Sequence, residues 1–415
     1  MKKFVQYGAG NIGRGFIGQL FSKAGYEVSF IDVNMEVIDA LNNSGRYPVT
    51  VVSKDSNLDI WVENVKGVDG RDKDAVIAAI AGADMMATAI GVNILPRIVP
   101  LLADGIRKRM IDNVSAPLNI IICENLIDAD KLLHKMLLEH FNADEAIYFE
   151  NHVGLVEASI GRMVPVMTQE QKESNVLRVC VESYCELPVD KTAFKGDIPE
   201  VPHLFPYSPF EFYIKRKLYV HNMGHALTSY LGSLAGYEYI WQATGNPAIK
   251  IMVQRAMTET ALSLSKKFDM PMQQLVDHIS HLQIRFSNVA LGDTIARVGN
   301  DIKRKLSSSD RFAGALKFCD EQGVVPLYAA AGIAAAMFFE NPADPFASQI
   351  RELIAQNGLK SVLKDICDID ETSQSFNTIV KYYEFLSTNK SISDLLAFAE
   401  SLQQDYFDNS GKRFI

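Results

Sequence analysis

Net positive charge is missing from this chain. Its 415 residues carry 41 Lys and Arg against 50 Asp and Glu, a formal charge of −9. That excludes a surface built for nucleic acid, which needs clustered cations. An anionic small molecule is not excluded, because a local basic pocket is enough to hold one. Cysteine is scarce as well. The five residues, Cys123, Cys180, Cys185, Cys319 and Cys367, are odd in number and scattered, so neither a disulfide framework nor a zinc motif is expected. They read as reduced, mostly buried thiols, which predicts a cytoplasmic protein. Long hydrophobic runs are also lacking: the longest, Val324 to Phe339, contains Pro326 and Gly332 and is too short to span a bilayer. The N-terminus reads as a strand rather than a signal peptide. No internal repeat or low-complexity tract is visible.

What remains is an ordinary globular composition, 48% hydrophobic and 22% charged, in a chain long enough for two domains. The first ~190 residues alternate strand-like and helix-like segments, the pattern of an α/β domain. Strands are expected at Phe4–Tyr7, Val28–Ile31, Met85–Ile90, Leu118–Cys123 and Ala146–Phe149. Tyr47 to Val65 reads as an antiparallel excursion inserted in the sheet. Pro199, Pro202, Pro206 and Pro209 then break regular structure, and helical periodicity dominates beyond them. The expected division is a dinucleotide-binding domain of the Rossmann type over 1–198 and a mainly α-helical domain over 199–415.

Gly8-Ala9-Gly10-Asn11-Ile12-Gly13 follows the first strand and opens an amphipathic segment, with Asp32 at the end of the next apolar run. Gly8 permits a tight turn, Gly10 a close approach of backbone to a pyrophosphate, and Gly13 the packing of helix on strand. The helix start offers free N–H groups to phosphate. Asp32 suits a ribose diol and repels a 2′-phosphate, which favours NAD over NADP. Thr88 to Gly91 and Cys123-Glu124-Asn125 lie at strand ends, where an open α/β sheet places its ligand.

The second domain opens on Ser208-Pro209-Phe210-Glu211, which reads as a capping box with Ser208 as N-cap. The helix is expected to run through Lys217, Asn222 and His225 towards Gly232. At about 100° per residue, Asn222 lies about 140° from Lys217 and His225 about 80° from it, within one broad face. Such a face suits oxidation of a secondary alcohol: lysine takes the hydroxyl proton, the amide donates to the alkoxide, and the histidine fixes a neighbouring hydroxyl. Lys215 and Arg216 beside Lys217 favour its neutral form. The competing reading is a solvated lysine with two satisfied polar neighbours. Tyr213 and Lys217 also form a Tyr-x-x-x-Lys, but in a chain of the wrong size and glycine pattern for short-chain dehydrogenases. His221 and His225 have a zinc-compatible spacing without an evident third ligand. His278 and His281 read as a similar pair at the surface.

Lys217-x4-Asn222-x2-His225 after a glycine-rich Rossmann motif resembles the polyol-specific long-chain dehydrogenases, the mannitol dehydrogenase family. Other segments carry the likeness from Met1 to beyond residue 390. They include Asn119 to Asn125, His152 to Val156, Val189 to Gly196, Tyr230-Leu231-Gly232, Arg304 to Ser307 and Gly332 to Met337. The resemblance implies a metal-independent enzyme that uses NAD to interconvert mannitol 1-phosphate and fructose 6-phosphate. Lys217 then matches the general base, Asn222 and Asn125 the amides on the substrate oxygen, and His225 a substrate-orienting residue. Where the family reads Val-Asp-Arg-Ile, this chain has Ile160-Gly161-Arg162-Met163. Glu157 would replace the missing carboxylate if its segment were helical, and His221 stands where an apolar residue is usual.

A phosphate needs cations, and Arg297, Arg304, Lys305 and Arg311, with Lys215 and Arg216, are the candidates. The rival for that run is a solvated basic turn. The expected partner is a small sugar or polyol phosphate, with no nucleic acid and no membrane; oligomeric state is left open, monomer included. Rival functions are a relative acting on an unphosphorylated polyol or a hexuronate, and a catalytically silent NAD(H) sensor suggested by Gly161.

Overall fold

The computed structural model describes residues 1–53, 57–165 and 167–410. The chain divides into two compact units, Met1–Tyr213 and Ile214–Ile415. The first is built on a six-stranded sheet in the order β5-β2-β1-β6-β7-β8. Its strands are β1 (Lys3–Tyr7), β2 (Glu27–Asp32), β5 (Val65–Asp69), β6 (Met85–Thr88), β7 (Leu118–Ile122) and β8 (Val153–Glu157). Every pairing in it is parallel, with Phe4 opposite Val28 and Met85, and Ile122 opposite Glu157. Helices cover both faces, which is why β7, Leu-Asn-Ile-Ile-Ile, is buried at every position. Alternation along β1 feeds two cores. Phe4 packs with Phe16, Phe21 and Phe30, while Val5 and Tyr7 join Ile31, Met86 and Ile120.

Two expectations for this unit need correcting. The segment around Ala146–Phe149 is not a strand but part of a helix, Ala143–His152. Its β-forming Ile, Tyr and Phe are overridden by a capping box, in which Asn142 accepts from the Glu145 N–H and Glu145 from the Asn142 N–H. The excursion is a hairpin of β3 (Arg46–Val52) and β4 (Asn57–Glu63), antiparallel as read, but not inserted in the main sheet. It forms a separate three-stranded sheet, because β3 takes β9 (Val179–Val181) as its parallel second neighbour. A last pair, β10 (Leu187–Asp190) and β11 (Leu204–Tyr207), is also parallel.

Among its described residues the second unit is helical. Its centre is the Ala-rich helix Leu327–Ala336, buried at all ten positions. Gly332 is required there, since a Cβ would fall against the ring of Phe312. The longest helix, Pro247–Phe268, starts on Pro247 with the Asn246 side chain accepting from the N–H groups of Ala248 and Ile249. No helix of the described residues is long and apolar enough to cross a membrane.

Candidate active site

The glycine turn is locked by the groups the sequence singled out. Gly8 N–H donates to Ile31 O at 2.8 Å, and its φ of +99° is one only glycine adopts freely. A Cβ there would lie 2.5 Å from the carbonyl oxygen of Ala89, and a Cβ on Gly13 would collide with the carbonyl oxygen of Gly8. Gly10 differs: a Cβ would meet no protein atom within 4 Å. The space beside Gly10 is what a closely approaching ligand needs. Asn11 and Ile12 lead into the helical turn Gly13–Gly18, at a helix start whose first N–H groups have no intrahelical acceptor. Asp32 accepts from Ala9 N–H at 2.7 Å and from Asn34 N–H at 2.9 Å. Each carboxylate oxygen keeps a further acceptor site for a hydroxyl. This cradle fits a dinucleotide: bare backbone for the pyrophosphate and an acid for the ribose.

At the C-terminal edge of the sheet Thr88 is buried with its hydroxyl unpaired. Next to it Glu124, buried, accepts from Ile90 N–H at 3.0 Å and Gly91 N–H at 2.7 Å. Asn125 follows in the chain and is exposed. Glu157 ends β8 rather than lying on a helix, so it cannot substitute for the family carboxylate by the helical spacing expected of it. Burial, with Asp130 and Asp128 nearby, pushes its carboxyl up to about 7, although the N–H groups of Asp128 and Ala129 favour the ionised form. Arg162 is buried and fastens the glycine helix, donating to Gly15 O at 2.9 Å and Gln19 Oε1 at 2.7 Å.

The second unit carries Lys217, Asn222 and His225 on one helical run, with two differences from expectation. The regular helix starts at Glu211, after hydrogen bonds from Phe212 to Pro209 O and Tyr213 to Phe210 O, rather than at a Ser208 cap. The stretch Arg216–Asn222 is also a π-helical turn, closed by Met223 N–H on Leu218 O, before α-helix resumes at Met223–Leu234. The 100° rule therefore fails here. Five residues make one widened turn, so Asn222 sits a single turn beyond Lys217 on the same face. His225 lies three residues further along that face. Such turns recur at functional sites, and the five-residue spacing was the one available sequence signal.

His225 stacks on Phe286, with ring centroids 4.6 Å apart and planes at 11°. Burial, then Arg297, Arg311, Arg285 and Lys305, lowers its pKa to about 3, so the ring is neutral. Its Nε2 is buried and lies 3.3 Å from Asp293 Oδ2 without hydrogen-bond geometry. Asp293 was missed in the sequence, since only a Gly-Asp-Thr turn 68 residues from His225 marks it. His221 and His278 are also held well below the ordinary value, chiefly by burial. His278 is not the surface residue expected, for its Nε2 is buried. Among the described residues no group of three or more His, Cys, Asp or Glu is placed to hold a metal.

The basic run is brought together around His225, but its members differ. Arg297 pairs with Asp293, Arg304 with Asp301 and Asp310, and Arg311 with Asp310. Lys305 is 5% exposed, its backbone N–H donates to Asp301 O at 3.2 Å, and Asp301 and Asp310 favour its charge. Burial, then Arg311 and Arg304, lowers its pKa to about 7. Lys215 instead stands over the rings of Phe318 and Tyr219.

A parallel sheet with a glycine turn and a ribose-type acid, followed by a helical unit bearing lysine, asparagine and histidine, defines a two-domain dinucleotide-dependent oxidoreductase. The chain belongs to the mannitol dehydrogenase family: the family's Rossmann domain matches residues 2–203 and its C-terminal domain residues 210–387. Among solved structures it is similar to a D-sorbitol dehydrogenase in substrate-free form, at 13% identity and TM-score 0.77, over 95% of this chain and 94% of that one. It is also similar to Pseudomonas fluorescens mannitol 2-dehydrogenase in a ternary complex with NAD and D-mannitol, at 15% identity and TM-score 0.70, over 96% and 94%. At these identities the likeness is one of fold.

Proposed function

We propose that the protein is an NAD-dependent dehydrogenase interconverting D-mannitol 1-phosphate and D-fructose 6-phosphate. Family membership supports the polyol chemistry. The observation that carries the phosphate is Lys305, a residue 5% exposed whose charge burial, Arg311 and Arg304 disfavour more than Asp301 and Asp310 favour it. A bound dianion relieves that repulsion and restores the charge. Gly10 and Asp32, with Gly8, Ala9, Asn11, Ile12, Gly13 and Thr88 around them, would hold the NAD, which supplies the hydride acceptor for alcohol oxidation.

In this reading Lys217 takes the hydroxyl proton and returns it in ketose reduction. Asn222 donates to the developing alkoxide. Asn125 has the same role by resemblance to the family. His225 is neutral at working pH, so it acts as a hydrogen-bonding group for a substrate hydroxyl and not as a proton source. Arg297 and Arg304 are already paired and come second to Lys305 for the phosphate.

A second reading, an unphosphorylated polyol or hexuronate, draws support from the two similar enzymes, named for sorbitol and mannitol. A panel of fructose 6-phosphate, fructose and tagaturonate with NADH, repeated with NADPH, tests both. The proposal expects fructose 6-phosphate with NADH to be turned over far more efficiently than any other combination. Equal efficiency with fructose removes the phosphate reading. Tight NADH binding without turnover of any ketose makes the protein a sensor.

A further inference from the structure

Each end of the cofactor edge is fixed by backbone contacts, and one side chain joins them. The turn after β6 closes against the glycine loop: Ala89 O and Ile90 Cγ2 would lie 2.5 and 2.9 Å from a Cβ on Gly8. Ala89 N–H is held by Tyr7 O at 2.9 Å, and Cys123 N–H donates to Thr88 O at 3.0 Å, which ends the β6–β7 ladder. Beyond that point the two loops diverge, and Gly91 turns with a φ of +88°. Glu124 spans the gap. Its two oxygens separately accept the N–H groups of Ile90 and Gly91, at 3.0 and 2.7 Å, from a side chain only 6% exposed.

A buried carboxylate with one proton donor on each oxygen is a rigid brace, because either lost contact leaves a charged oxygen desolvated. The brace reaches from the turn that packs on Gly8 to the residue directly before Asn125. We infer that Glu124 is a positioning residue that couples the cofactor turn Thr88–Gly91 to the substrate amide of Asn125. Its two attachments set both loops at once, so the amide's placement depends on the turn beneath the dinucleotide. This rests on the roles proposed above for NAD and Asn125.

The test is a double-mutant cycle on the full-length protein, with NADH affinity from fluorescence titration and kcat for fructose 6-phosphate. Glu124→Gln keeps the shape but turns an amide NH2 towards one of the two N–H groups. It is expected to weaken NADH by about threefold or more and lower kcat by about tenfold, the scale of one charge-assisted hydrogen bond. In an Asn125→Ala background the kcat effect of Glu124→Gln should shrink to within about twofold, while the NADH effect persists. A role in stability alone would lower kcat equally in both backgrounds, and that result overturns the inference. So does unchanged NADH affinity. Should Glu124→Gln fail to fold, Glu124→Asp, which keeps the charge and withdraws the oxygens by one methylene, is read in the same way. If the unaltered protein binds NADH but reduces no ketose, the proposed function fails by itself, and the NADH arm still tests the brace.

Discussion

Lys217 and Lys305 are both lysines of the second unit, yet the proposed function asks opposite things of them. Lys217 sits on the widened turn with Asn222, ahead of His225 on the following α-helix, and is assigned the substrate proton. Lys217→Ala should lower kcat by about two orders of magnitude or more, as loss of a general base does. NADH affinity should stay nearly unchanged, because the nucleotide contacts belong to the first unit; activity within about threefold of the unaltered enzyme sinks the assignment. Lys305 starts with a pKa of about 7. At pH 7.5 most of it is neutral, while a phosphate ester is already dianionic. Binding fructose 6-phosphate in the presence of NAD should therefore take up more than about half a proton per site. Calorimetry in two buffers of different ionisation enthalpy measures this. Lys305→Met should abolish the uptake and lower efficiency with fructose 6-phosphate by about a hundredfold while barely changing that with fructose. No uptake by the unaltered enzyme means that the ammonium does not meet the phosphate.

Elements show which parts of this architecture are written locally. The glycine turn makes a clean prediction, since Gly10 and Gly13 are glycines for different reasons. Gly10→Ala meets no protein atom, so it should leave the melting temperature unchanged while weakening NADH by about tenfold or more, the ligand alone losing room. Gly13→Ala drives a methyl into the Gly8 carbonyl and should destabilise the fold by about 2 kcal/mol or more, as other overpacked substitutions do. Equal melting temperatures for the two variants would refute the distinction. The β1–turn–helix unit was legible because its determinants lie within 32 residues and act through backbone geometry. The helix over Ala143–His152 was legible in principle, through Asn142 and Glu145, but the β-forming Ile147, Tyr148 and Phe149 outweighed the cap. The π-turn was hidden because a periodicity rule assumes the α repeat it is meant to detect. Partners distant in sequence were out of reach altogether. Nothing near His225 announces Asp293, nothing near Glu124 announces the Ile90–Gly91 turn, and β9 as the neighbour of β3 follows from folding across 130 residues.

At the scale of the molecule the two units should answer acid differently. His221, His225 and His278 of the second unit are held neutral, His225 down to about 3 and the others well below the ordinary value. A depressed histidine pKa contributes stability that is present above the unfolded value of 6.5 and is lost as pH falls through it, because only the unfolded chain then takes the proton. The His225 imidazole alone costs about 1.4 kcal/mol per pH unit below that point, and His221 and His278 act in the same direction. Glu259 acts the other way. Burial raises its carboxyl to about 8 even though it accepts from the N–H groups of Tyr328 and Ala329. Its protonated form favours the fold, a contribution complete below 4.5 and lost as pH rises towards 8. The three histidines outweigh Glu259, so acidification below 6.5 lowers the stability of the second unit. In the first unit Glu157, raised to about 7, makes that unit gain from acid over the same range. Differential scanning calorimetry at pH 7.5 and 5.0 should therefore show a transition of the second unit that moves down on acidification. The transition of the first unit, marked by its upward shift with NADH, should move up instead, in the direction set by Glu157. His278→Phe, which replaces the half-buried imidazole by an apolar ring, should reduce the pH slope of the second transition. A second-unit transition that rises towards pH 5.0, or a slope unaltered in His278→Phe, would mean that these imidazoles are not buried neutral in the folded protein.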